Sequence, residues 1–91
     1  MDLVDAIRKA IEIYNRFHSP EAVATLVKID DGKVVVRFKG VFCYTCGVND
    51  WIEDLKYVLE DLGIEAELIN VMEGSDIDEK MGVFKIRKKG S

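Results

Sequence analysis

The sequence predicts an α+β fold: a two-layer sandwich, order α-β-β-α-β-β, with two helices on one face of a mixed four-stranded sheet. Three observations carry this. Two stretches repeat apolar residues at helical spacing, four alternate apolar and polar residues as half-buried strands do, and Gly, Asp, Asn or Ser punctuate the joins. At 91 residues the chain is long enough for one two-layer core, so a single domain spanning 1–91 is expected.

Residues 2–17 read as the first helix, with Leu3, Val4, Ile7, Ala10, Ile11, Tyr14 and Phe17 on one face. Asp2 and Asp5 sit in its first turn and Arg16 in its last, as the helix dipole favours. Pro20, after His18 and Ser19, ends it. Residues 22–29 and 33–40 read as a hairpin around Asp31-Gly32, a pair that tolerates positive φ. A two-residue loop places Ile29 opposite Val34, Val27 opposite Val36 and Thr25 opposite Phe38, all on the core face.

A second helix is expected over roughly 50–62, capped by Asn49 or Asp50, with Glu53 completing a near capping box. Its buried stripe is Trp51, Ile52, Leu55, Val58, Leu59 and Leu62, and Gly63 follows as the C′ residue. Residues 64–72 read as the third strand, with Ile64, Ala66 and Leu68 inward. Residues 82–87 read as the fourth, with Phe84 and Ile86 inward. The link from the second strand through the helix to the third is a right-handed crossover if those strands are parallel.

Composition excludes several function classes. A net charge of −4 gives no bulk attraction to nucleic acid. No apolar run approaches the ~20 residues of a membrane span, and no signal peptide is visible, so a cytoplasmic protein is expected. The absence of glutamine with abundant Lys, Glu, Val and Ile leans towards a thermophile, where cytosolic disulfides also occur. No Ser/His/Asp triad, P-loop or dinucleotide fingerprint is present, and an enzyme is not the expectation.

The chemistry concentrates at Cys43-Tyr44-Thr45-Cys46, which holds both cysteines of the chain, in the 40–48 loop. A C-x-x-C pair can be a metal half-site, a dithiol redox couple or a structural disulfide. Zinc and iron–sulfur clusters usually take four ligands, so a four-cysteine site needs a second chain. The free N–H groups of the following helix stabilise a nearby thiolate. Against that, no Lys, Arg or His lies between Gly40 and Leu55, while Asp50, Glu53 and Asp54 do. A thioredoxin-like enzyme would place the motif in a βαβ context with a later cis-Pro; here a hairpin precedes it and the only proline is Pro20.

The run from Asp31-Gly32 through the strand ending in Gly40, then Cys43-Tyr44-Thr45-Cys46, Ile52-Glu53-Asp54-Leu55 and Leu59 resembles the C-terminal domain of NifU. The resemblance covers roughly residues 1–72. It implies an iron–sulfur cluster held by Cys43 and Cys46 of two subunits in a homodimer, for delivery to apo-protein clients, with zinc as the alternative metal. The other readings of the same pair are a thiol–disulfide oxidoreductase and a small interaction domain with a structural disulfide.

Each remaining feature has a plain reading beside a functional one. His18 is a helix-end residue, or the third ligand of an open zinc site made with the two cysteines. Phe42, Tyr44 and Trp51 flank the motif as core or contact surface, with Trp51 the best core candidate. The acidic loop Glu73 to Glu79 lacks EF-hand spacing and reads as solvated rather than as a calcium site. Arg87, Lys88 and Lys89 read as a solubilising end of the chain.

Overall fold

Asp2 opens the first helix as its N-cap, its carboxylate accepting the Asp5 N–H at 2.9 Å. The helix, α1, runs Leu3–His18 and buries Ala6, Ile7, Ala10, Ile11 and Tyr14. The strands are β1 (Val23–Asp30), β2 (Lys33–Lys39), β3 (Ile64–Glu73) and β4 (Glu79–Lys88), with α2 (Val48–Asp61) between β2 and β3. This computed structural model describes residues 2–19, 21–30, 32–40, 48–75 and 78–88, with Val48 and Asn49 described as backbone. The fold is α+β in the order α-β-β-α-β-β.

The sheet order is β1-β2-β4-β3, and all three neighbouring pairs are antiparallel. The expected mixed sheet is therefore corrected. β2 and β3 do run in the same direction, but β4 lies between them and pairs with both. The physical reason is that β4 buries more of its length, Glu79, Gly82, Phe84 and Ile86 against Ile64 and Ala66 of β3. It places Phe84 and Ile86 in the core, whereas β3 carries Glu65 and Glu67 and tolerates an edge.

Both edge strands are bulged and both inner strands are regular. In β1 the pairing shifts between Leu26 and Lys28, and in β3 between Leu68 and Asn70. A bulge adds one residue, so it inverts which side chains face the core beyond it. Ile29 lies opposite Val34 as expected, but Leu26 rather than Val27 meets Val36, and Ala24 rather than Thr25 meets Phe38. Ala24 is accordingly 3% exposed and Val27 43%. Such kinks also blunt the free edges against pairing with another chain.

The core gathers α1 and α2 on one face of the sheet. α1 packs on β1 and α2, and α2 packs on β3. Tyr14, Phe38, Phe84, Ile52, Leu55 and Leu59 are its largest members, with Val34 and Val36 beneath. α2 starts earlier than expected, at Val48, so Asn49 and Asp50 lie inside its first turn and do not cap it. The residue before Val48, Gly47, lies outside the described residues. Trp51 is half-buried against the core rather than within it. β4 starts three residues earlier than expected, which draws Glu79 out of the acidic loop and into the sheet.

Candidate functional site

Five pieces of chain meet at one end of the molecule. Asn15, near the end of α1, holds the start of β1 through its amide. Its Nδ2 donates to the Ala24 carbonyl at 3.0 Å and its Oδ1 accepts the Ala24 N–H at 2.7 Å. The Ala22 N–H donates to the His18 carbonyl at 3.0 Å. β2 ends alongside, with Val23 opposite Lys39, and the Gly40 N–H donates to the Asp78 carbonyl at 2.9 Å. The turn between β3 and β4 closes here on Glu79. That carboxylate is 5% exposed, accepts the Ser75 N–H at 2.8 Å and lies 3.5 Å from Arg37 Nε. The first turns of α2 complete the group, because the Tyr14 hydroxyl donates to the Trp51 carbonyl at 2.8 Å.

The chain leaves β2 at Gly40 and enters α2 at Val48, and both points belong to this end. The described residues on either side of the stretch carrying Cys43 and Cys46 therefore both lie at this end. The two cysteines, with Phe42 and Tyr44, lie outside the described residues.

His18 is the residue whose position was not legible locally. Its ring stacks on Tyr14 one turn earlier, centroids 4.0 Å apart and 3° from parallel, and meets the Trp51 ring edge-on at 5.7 Å. Its Nδ1 lies 2.9 Å from the Tyr14 carbonyl and its Nε2 3.0 Å from Asp54 Oδ2. The sequence stretch 41–54 has no base of its own, but the fold brings an imidazole onto the first two turns of α2. The i, i+4 spacing of Tyr14 and His18 signals their stacking; nothing in the spacing signals Asp54.

Comparison with protein-family models, curated proteins and solved structures finds no match. The reading of this end of the molecule therefore rests on its chemistry.

Tyr14 is fully buried, and burial, then the nearby Asp54 charge, push its phenol above the ordinary tyrosine range. The neutral hydroxyl is the form that donates to Trp51. An unfolded phenol ionises near pH ~10. The folded chain holds the proton beyond that pH, so this contribution to stability is complete below pH ~10 and declines above it. A Tyr14→Phe variant is expected to lose about 1 kcal/mol at neutral pH through the missing hydrogen bond. Its urea-unfolding free energy should also fall less steeply than wild type above pH ~10; an identical alkaline slope would show that Tyr14 does not carry this dependence.

Among the described residues no group of three or more His, Cys, Asp or Glu side chains converges as a metal site. Two acids of the 73–79 stretch are engaged by neighbours: Glu73 pairs with Lys80 at 2.6 Å, and Glu79 with Ser75 and Arg37. One hollow, lined by Lys56, Glu60, Glu65, Glu67, Lys85 and Arg87, lies beside the later turns of α2 and mixes both charges. A second, lined by Val23, Thr25, Arg37, Lys39, Ser75 and Glu79, lies where β1 starts and β2 ends. No helix among the described residues is long and apolar enough to cross a membrane.

Proposed function

We propose that this protein binds a thiophilic metal centre, an iron–sulfur cluster or zinc, through Cys43 and Cys46, and serves in cluster carriage or assembly. The supporting observation is the frame of the C-x-x-C segment. It links the end of β2 to the N-terminus of α2, and both anchors are fixed by hydrogen bonds of the surrounding strands and helix. Helix N–H groups at that terminus favour thiolate over thiol. The donor set fits the group: two soft sulfur ligands suit zinc and iron–sulfur centres, and a cluster completes its four from the same pair in a second copy. The homodimer, apo-protein clients and kinship to the NifU C-terminal domain belong to this proposal.

Anaerobic purification with iron, sulfide and zinc analysis tests it. Bound metal in the wild type and loss of it in the Cys43→Ser/Cys46→Ser variant are expected. Metal-free wild type, or a double variant that keeps its metal, would sink the reading. Finding instead a pair that cycles between dithiol and disulfide within the cell's potential range would favour an oxidoreductase.

A further inference from the structure

The sheet has two faces, and the helices cover only one. Both pack on the side of Val34, Val36, Phe38, Phe84 and Ile86. The pairing register defines the other face. β2 contributes Lys33, Val35, Arg37 and Lys39 to it, at alternate positions. Beside them stand Lys85, Val83, Met81 and Glu79 of β4, and Asp30, Lys28, Thr25 and Val23 of β1.

Charge is sorted on this open face. Of these twelve positions five are cationic and two acidic, a net of +3 in a chain whose total is −4. Both acids are engaged: Asp30 lies 3.9 Å from Lys28 Nζ, and Glu79 meets Ser75 and Arg37. The basic stretch ends at β3, which carries Glu65 and Glu67. The middle of the face is apolar. Val35 pairs with Val83, Met81 follows, and Met72 of β3, opposite Met81 and 42% exposed, extends the stripe.

One cation is built into the fold. Arg37 lines the hollow at the start of β1 with its side chain 45% exposed, and the buried Glu79 carboxylate lies 3.5 Å from its Nε. Glu79 is held in turn by the Ser75 N–H at 2.8 Å and by the close packing of Gly74, where a Cβ would stand 2.5 Å from Glu79 Cγ. An arginine steadied in this way has less freedom to lose on binding than a loose surface cation.

We infer that the open sheet face docks an acidic, extended segment of a partner protein. Its carboxylates lie on Lys33, Arg37 and Lys39, and an apolar side chain lies on Val35 and Val83. Alternate residues of any strand repeat at about 6.6–6.8 Å, so the order cation, apolar, cation, cation along β2 is matched by acid, apolar, acid, acid in the segment. Two other occupants fit less well. No aromatic ring stands at the twelve positions, so the bases of a nucleic acid have nothing to stack on. A second copy would set +3 against +3. The docking surface goes beyond the metal reading of the cysteines and does not rest on it.

The test is amide NMR of the isotope-labelled full chain, titrated with a synthetic peptide that carries Glu, Leu, Glu and Glu at alternate positions with Ser between. Shifts are expected on β1, β2 and β4, with affinity falling as salt is added. Affinity should drop about fivefold or more in Lys33→Glu and in Arg37→Gln. It should stay within twofold of wild type in Lys9→Glu, which makes the same charge change as Lys33→Glu but on α1. Lys33 is exposed, so Lys33→Glu decides the matter if Arg37→Gln does not fold. Absence of shifts at millimolar peptide would overturn the proposal, as would equal losses in Lys33→Glu and Lys9→Glu. So would equal binding of a peptide with Lys in place of Glu, tighter binding of single-stranded oligouridylate, or a dimer in sedimentation whose interface maps to this face.

Discussion

Replacing Phe38 by alanine is expected to lower the unfolding free energy by about 3–5 kcal/mol. The ring is fully buried between the two layers. It meets Tyr14 edge-on, centroids 5.5 Å apart at 74°, and lies 6.4 Å from the Phe84 ring. Gly82 makes room for it, since a Cβ there would stand 3.1 Å from Phe38 Cε1. The ring is fully buried among packed core side chains, so the loss combines transfer and cavity costs. A chain of 91 residues has a total stability of about 5–14 kcal/mol, so the variant should sit near the edge of folding at 25 °C. Urea unfolding followed by far-UV circular dichroism measures this. A loss under about 1 kcal/mol would show that Phe38 does not join the helix layer to the sheet.

Gly40→Ala should cost about 3 kcal/mol or more, for two separate reasons. The backbone has φ +147, where side chains other than glycine's are strained. A Cβ would also stand 2.1 Å from the Glu21 carbonyl oxygen and 2.8 Å from its carbon. Those atoms are backbone and cannot swing away, because the Ala22 N–H is tied to His18 and the Gly40 N–H to Asp78. Gly63→Ala is the control: φ is +86, but the position opens onto empty space, so about 1 kcal/mol is expected. Parallel urea titrations compare the two. Equal losses would mean that the close approach of β2's end to residues 21–22 has no energetic consequence. Because Gly40 also aims the chain into the cysteine segment, any folded Gly40→Ala protein should bind metal more weakly.

Local pattern was a sound guide wherever the cause was local. The stripe of α1 carried Ile7, Ala10, Ile11 and Tyr14 into the core, and alternation carried Val34, Val36 and Phe38 of β2 and Phe84 and Ile86 of β4. Ile29 and Val34 pair as the two-residue turn requires. The register error in β1 comes from competition among distant segments. A bulge at Val27 is a feature of an edge strand, and that β1 is an edge follows only from which strands occupy the middle. Taking Asn49 or Asp50 as the cap failed because α2 continues one further half-turn towards the site.

The sequence by itself determined the element order, the centre of each helix face, most core residues and the C-x-x-C pair, because periodicity and donor chemistry are written residue by residue; Val4 and Phe17, placed on the face of α1, are 41% and 75% exposed. Tertiary structure alone decided that β4 inserts between β2 and β3, that Glu79 is buried, and that His18, 36 positions from Asp54, faces it at 3.0 Å. Pairing free energy between segments depends on total burial across the sheet, and no local window contains that sum. The same holds for His18 and Asp54: their residue types are read from the chain, and their contact comes from the packing of α1 on α2.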